Sequence, residues 1–313
     1  MSSGAHGHEI GRPVRIVSLS FGDRPLEAVL PAVEAEAARG ADIIALPETY
    51  RGQNETTTEG LTGPSVTSFS RVAEEYQTYI VVPMDLVDGG VRTNTAVLID
   101  RSGRIAGQYS KAYPFWAEYD LCPPVTPGVD TPVFETDFGR VGLATCFDAN
   151  FPELWQRLAD QDAELVIWTS AYAAGASLQA HAINHHYYIV AATKTGNALA
   201  FDITGRRILD EHGDDLHVAR VTLDLDRGIY HQDFNLAKKE DLLAGHADDV
   251  VMEQWLPQEA WFVLRAKRAG VSARALAAEH DLEELRHYIR RSRQAIDEKR
   301  RHLFAKPNTR RPK

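Results

Sequence analysis

The stretch Gly139-Arg-Val-Gly-Leu-Ala-Thr-Cys146-Phe-Asp-Ala-Asn-Phe-Pro-Glu153 changes its backbone pattern in the middle. Its first half, Val141 to Ala144, is a short apolar run flanked and interrupted by Gly139 and Gly142, as in a buried strand. Its second half reaches Pro152, which suits the first turn of a helix because the N–H it lacks would find no partner there. Cys146 therefore falls at a strand-to-helix turn, where a thiol lies at the edge of a sheet with backbone N–H groups nearby.

Working outward, Val- and Ile-rich runs recur at Val14 to Leu19, Ile43 to Leu46, Ile80 to Val82, Ala96 to Ile99, Leu165 to Trp168, Ile189 to Ala192 and Val218 to Leu223. Their length and β-branching predict strands. Helical patterns lie between them at Leu26 to Ala38, Val66 to Tyr76, Pro152 to Ala159 and Ser177 to Tyr187, with Pro31 expected to kink or end the first. This alternation predicts an α/β layered domain. Turn signals at Asp88-Gly89-Gly90, Asp100-Arg-Ser-Gly103 and Thr204-Gly205 predict antiparallel hairpins, hence a mixed sheet. From Val271 the composition changes: Leu282, Leu285, Ile289, Ile296 and Leu303 mark one face of a long amphipathic helix on a Lys/Arg/Glu-rich background. We divide the chain accordingly into a body, residues 1–270, and a C-terminal helical arm, residues 271–313.

The 313 residues, 44% hydrophobic and 25% charged, suffice for one large core, and no segment approaches the ~18 apolar residues of a membrane span. Met1 to His8 lacks the apolar centre of a signal peptide, so a cytoplasmic protein is expected, with the sequon at Asn54 unmodified. Cys122 and Cys146 form no CxxC pattern, which predicts two free thiols and no zinc knuckle. The formal charge of -10 argues against nucleic acid as the main partner, although the end of the chain is basic. His181 and His185 lie four apart on a helical pattern, but no Glu follows the first, so a packed or pocket-lining pair is expected and not a metal site.

A free cysteine usually just packs, and a thiol of pKa about 8.5 reacts at neutral pH only with a base in reach. Two further stretches offer partners. Glu48 ends the run Ala41-Asp-Ile-Ile-Ala-Leu-Pro47, at the carboxyl end of a strand, where ligands bind in open α/β sheets. Lys111 and Glu118 flank the aromatic loop Ala112-Tyr-Pro-Phe-Trp-Ala117. Either could instead be a surface group.

In this order and spacing, Leu-Pro-Glu48, Lys111 with its Pro-aromatic loop and Glu118, and the Cys146 stretch resemble the nitrilase superfamily of carbon-nitrogen hydrolases. The likeness continues through Glu164 to Ala171 and His181 to Gly196, and so spans residues 14 to 225. It implies a four-layer α-β-β-α sandwich followed here by the helical extension, an assembly of two or more copies, and a Glu48-Lys111-Cys146 catalytic set. Glu48 would be the base, Lys111 and the backbone N–H of Phe147 would hold the oxyanion, and Glu118 would orient Lys111 or water. No metal or organic cofactor is implied. We expect Tyr50, Trp116, Tyr119, Asn150 and Tyr172 to contact the substrate, a small amide or N-carbamoyl amine.

Two departures limit the analogy. The family's Gly-His-Ser segment is missing, since Gly196 runs through Asn-Ala-Leu-Ala-Phe-Asp-Ile to Thr204 and Gly205, and Asn150 stands where an Arg is frequent. The sequence after Cys146 looks more like amidases than true nitrilases. Nitrile hydrolysis and acyl transfer to an amine remain alternatives with the same residues. A rival of another class is an interaction or nucleic-acid-binding protein on a degenerate hydrolase scaffold, suggested by the helix-turn-helix-like Val271 to Leu282.

Overall fold

A computed structural model describes residues 9–304; Met1 to His8 and the basic end from residue 305 lie outside the described residues. Backbone contacts divide the chain into two compact units, Arg12–Leu225 and a second that runs from Asp226 and includes the N-terminal residues up to Gly11.

The strands of the first unit are β1 Pro13–Ser20, β2 Ile43–Ala45, β3 Tyr79–Asp88, β4 Val91–Ile99, β5 Ile105–Ser110, β6 Val133–Glu135, β7 Arg140–Thr145, β8 Leu165–Ser170, β9 Tyr188–Thr193, β10 Asn197–Phe201, β11 Arg207–His212 and β12 His217–Asp224. They form two six-stranded sheets ordered β12-β1-β2-β3-β4-β5 and β11-β10-β9-β8-β7-β6. Both are mixed. β1, β2 and β3 are parallel neighbours, as are β7, β8 and β9, whereas the glycine turns expected from sequence close the antiparallel hairpins β3-β4, β4-β5 and β10-β11.

Alternation along the strands decides what each face meets. Val17, Leu19, Ile44, Leu46, Ile80, Val82, Val97 and Ile99 bury one face of the first sheet against helices α1 Leu26–Ala38 and α2 Pro64–Tyr76, through Val29, Val33, Phe69 and Val72. From the other face Ser18 Oγ donates to the Ala191 carbonyl at 2.7 Å and Ser20 Oγ to the Asn197 carbonyl at 2.9 Å, tying the two sheets together. Helices α3 Pro152–Asp160 and α4 Gly175–His185 bury Leu154, Trp155, Leu158, Leu178 and Ala182 in the second half. The layers are thus α-β-β-α.

Two expectations shift. The α1 helix runs through Pro31, because Pro31 and Glu27, whose carbonyl loses its helical donor, are exposed, so the loss buries no unpaired group. The α4 helix stops at His185, since His186 takes the left-handed conformation (φ 57°) that ends helices.

The second unit contains β13 Gly228–His231, β14 Val250–Leu256 and β15 Trp261–Ala266 in the order β13-β15-β14, with α5 Leu236–Gly245, α6 Ala273–Glu279 and α7 Leu285–Phe304. Sequence reasoning did not anticipate this sheet or α5. The long helix expected from Val271 is instead two helices. Ser272 caps α6 by accepting from the Ala275 N–H at 3.0 Å, and Asp281 turns the chain at φ 55°. Leu282 thus lies in the turn, in a core with Tyr230, Leu242, Phe262 and Ala277. The apolar stripe is buried at Leu282 and Leu285, half-buried at Ile289, and open at Ile296 and Leu303, which are 49% and 72% exposed.

That gradient fixes an expected outcome. Leu285→Ala should cost about 2 to 5 kcal/mol, whereas Ile296→Ala should stay within about 0.5 kcal/mol. Urea denaturation of the two variants checks it, and equal losses would show that the far half of α7 is covered.

Candidate active site

Four chain segments converge at one end of the two sheets. Glu48 stands three residues beyond β2, Lys111 follows β5 directly, Glu118 lies in the short helical turn Trp116–Asp120, and Cys146 follows β7 at the start of the turn Cys146–Asn150. All four are buried. The Lys111 ammonium donates to Glu48 Oε1 at 2.8 Å and to Glu118 Oε2 at 2.6 Å. The backbone of Lys111 is fixed on both sides: its N–H donates to the Asn94 carbonyl and its carbonyl accepts from Gly128. Only glycine fits at 128, where a Cβ would meet the Ser110 carbonyl at 2.0 Å.

The two glutamates differ in what surrounds them. Glu118 accepts four hydrogen bonds, from Gln53 Nε2 and Asn94 Nδ2 on Oε1 and from Lys111 Nζ and the Phe115 N–H on Oε2. Four donors fill the lone pairs of a carboxylate. Burial pushes its pKa upward, but Lys111 and the amide donors prevail and hold Glu118 below the usual carboxylate range. Glu48 takes Lys111 and Asn94 Nδ2 on Oε1 and the Ala171 N–H on Oε2, and its charge acts on Cys146.

Cys146 itself is strained. It holds φ at 49°, a left-handed value that costs a residue with a Cβ of order 1 kcal/mol or more and clusters at functional sites. Asp148 supports the turn: its Oδ2 accepts from the Thr145 N–H at 2.8 Å and from the Tyr109 hydroxyl at 2.6 Å, and its Oδ1 from the Tyr113 N–H at 3.0 Å. Burial raises its pKa to about 7 against these donors. One carboxylate thereby joins the turn of Cys146 to the loop that follows Lys111. The Cys146 carbonyl accepts from the Trp168 indole at 3.3 Å.

Burial, and after it the charge of Glu48, pushes the Cys146 thiol up to about 12, with Lys111 and the Ala171 N–H acting in the opposite sense. Desolvation pulls Lys111 down, but Glu48, Cys146 and Glu118 outweigh it and keep the amine above its ordinary value, protonated at neutral pH. The arrangement is therefore a neutral thiol beside a carboxylate and a fixed cation. It can move a proton from sulfur only as the sulfur attacks.

The remaining expected residues are spread out. Phe147 follows Cys146, its ring edge-on to Phe115 and Phe151. Asn150 donates to the Phe147 carbonyl at 3.1 Å; Tyr172, half-buried and edge-on to Trp168, has its pKa raised by burial and then by the charge of Glu48. Trp116 and Tyr119 are exposed on the helical turn that carries Glu118, with Trp116 packed beside Phe115. Tyr50 is elsewhere: its ring meets Phe69 in the core and its hydroxyl pairs with Ser65 Oγ at 2.6 Å, which leaves no face toward a substrate. His181 stacks on Trp155 at 4.3 Å with Nε2 on the Ala149 carbonyl, and among the described residues no group of three or more His, Cys, Asp or Glu could hold a metal. Asn94, Asp148 and Gln53 were not singled out from sequence. The available signal for Asn94 was the polar run Arg92-Thr-Asn-Thr95 opening an otherwise apolar strand.

Comparison with known proteins agrees with this geometry. A family model described as carbon-nitrogen hydrolase matches residues 24–229. A deaminated glutathione amidase of Synechocystis is 27% identical over 214 residues, covering 59% of this chain and 79% of that relative. The Homo sapiens omega-amidase NIT2 is 27% identical over 154 residues, 45% of this chain and 55% of its own. Among solved structures, an amidase of Nesterenkonia from the nitrilase superfamily, in a cysteine-to-alanine form, superposes with TM-score 0.62 at 20% identity over 76% of this chain and 98% of that one.

The opposed influences on the thiol give an expected outcome. Glu48→Gln removes the charge that raises Cys146 while leaving Lys111, so thiolate absorbance near ~240 nm should appear at lower pH than in the parent protein. An unchanged or higher titration point would show that Glu48 does not face the sulfur.

Proposed function

Because the chain belongs to the carbon-nitrogen hydrolase family, we propose that it cleaves an amide or N-carbamoyl amine through a thioester on Cys146, with Glu48, Lys111 and Cys146 as catalytic residues. As the sulfur bonds to the carbonyl carbon, Glu48 takes the thiol proton and the carbonyl π pair moves to oxygen. The Lys111 ammonium and the Phe147 N–H meet that oxyanion. Glu48 returns the proton to the nitrogen, the carbon-nitrogen bond breaks and ammonia or an amine leaves. Water then gives a proton to Glu48 and its oxygen attacks the thioester. The carbon-sulfur bond breaks and the thiol regains its proton from Glu48.

The observation that carries this assignment is the difference between the glutamates. Glu118 has four donors on its two oxygens and no lone pair left for a thiol or water, whereas Glu48 has a single donor on Oε2 and is close enough to Cys146 for its charge to raise the thiol. Glu118 thus orients Lys111. Asn150, Tyr172, Trp116 and Tyr119 form the substrate's surroundings, and Tyr50 is not among them. Amidase action is favoured over nitrile hydrolysis by the relatives named deaminated glutathione amidase and omega-amidase and by the solved Nesterenkonia amidase with the acetamide moiety of fluoroacetamide covalently added at its active site cysteine.

We place the enzyme in the cytoplasm, where a nucleophilic thiol stays reduced, with no cofactor and no nucleic acid as partner. The division into a catalytic body, residues 1–270, and an arm, residues 271–313, is kept as a functional one. We also propose a homodimer or larger assembly, supported by the open apolar positions Ile296 and Leu303. Light scattering of an Ile296→Asp, Leu303→Asp double variant should then read a smaller mass than the parent.

Cys146→Ala should abolish turnover and keep the fold, while Cys122→Ala changes neither. Lys111→Met should lower kcat on the order of a hundredfold, the usual effect of losing one oxyanion donor. Steady-state rates on a panel of amides, N-carbamoyl compounds and nitriles check both. Amide turnover should far exceed that of the matching nitrile, and the opposite order would overturn the substrate class.

A further inference from the structure

Asn94 lies on β4, opposite Asp85 of β3, and is 1% exposed. Its Nδ2 donates to Glu48 Oε1 at 2.8 Å and to Glu118 Oε1 at 2.9 Å. One amide nitrogen has two hydrogens, and here each goes to a different carboxylate. The opposite amide orientation would set an oxygen against two carboxylate oxygens, so the network itself fixes which atom is which. The other end, Oδ1, is buried with no hydrogen-bond partner. A buried acceptor left unpaired is costly, which points to a strong requirement for the amide's donor end.

We propose that Asn94 is a positioning residue that converges Glu48 and Glu118 on Lys111 and holds Glu118 ionised, and so sets the lowest pH at which the cluster can take the proton of Cys146. The inference rests on Glu48 being the base. Two carboxylates share one ammonium here, leaving a net negative charge in a site from which water is largely excluded. Neutral N–H donors supply the missing positive potential, and an amide does so at every pH because it does not titrate. The titratable and charged groups that face this point are Glu48 beyond β2, Asp85 of β3 paired with Arg92 of β4, Lys111 after β5, Glu118 in the helical turn, Cys146 after β7, Tyr172 after β8 and Lys194 after β9, whose Nζ donates to Thr49 Oγ1 at 3.1 Å. Asp85 already engages Arg92 through Nε at 2.8 Å, so Arg92 does not replace the amide. Asn94 is also among the donors that hold Glu118 low.

The test is the rate of alkylation of Cys146 by chloroacetamide between about pH 4 and 8, followed by intact mass in a Cys122→Ser background. It needs no knowledge of the natural substrate. Asn94→Ala should move the acid limb of the rate upward by about one pH unit. Asn94→Asp, which keeps the size and adds a third carboxylate, should move it further. Circular dichroism and melting curves establish that each variant is folded, and the Ala variant alone suffices if the Asp variant is not. A role confined to packing would lower the rate by one factor at every pH and leave the limb in place, which would overturn the proposal. Failure of Cys146 to react in the background protein at any pH would instead overturn its role as nucleophile, a separate result.

Discussion

The rest of the site depends on one buried cation. Lys111 is 1% exposed, and an ammonium taken out of water loses several kcal/mol of hydration. Two carboxylates and a shared amide compensate it, and each of these groups needs the others. Removing any one would leave a charge or a donor unpaired in a medium that penalises it. The strand order makes this cluster possible, because β2, β4 and β5 belong to one sheet and present Glu48, Asn94 and Lys111 at the same end.

Cys146 comes from the other sheet. Glu48 joins the two: Oε1 takes its donors from the first sheet, and Oε2 accepts the Ala171 N–H just after β8 of the second, at 2.9 Å. The same side chain is thus held by both halves of the sandwich and lies against the sulfur. Hydrogen bonds from Ser18 and Ser20 across the sheets keep the separation that this requires. Asp148 adds a second link by connecting the turn at Cys146 with Tyr109 of β5 and the loop at Tyr113. Strain at Cys146 is tolerated because three hydrogen bonds to one carboxylate leave the turn no alternative.

The second unit illustrates a limit of periodicity. Leu282, Leu285, Ile289, Ile296 and Leu303 read as one helical stripe, yet the chain turns at Asp281 and only the first members reach a core. A spacing of three, four and seven records which residues could share a face and says nothing of what covers it. In the three-stranded sheet β13-β15-β14, β14 is half-exposed and interrupted by Glu253, which hides its period, whereas β13 and β15 are mostly buried and the apolar run Trp261-Phe-Val-Leu264 was a strand signal not used.

The sequence by itself determined most of the layered body. The apolar runs became strands, the glycine turns became hairpins, and Glu48, Lys111, Glu118 and Cys146 were found from their motifs, since strand ends and Pro- and Gly-marked turns are local signals. Tertiary structure alone decided what each residue touches. It sent Tyr50 into the core beside Phe69, brought Asn94 between two glutamates from a strand with no motif of its own, and filled the lone pairs of Glu118 while leaving Glu48 beside the thiol. The physical reason is that most of these partners come from separate strands and loops and meet only when the sheets form and pack, so no local period or spacing encodes their hydrogen bonds; Lys111 and Glu118, seven residues apart, are the exception.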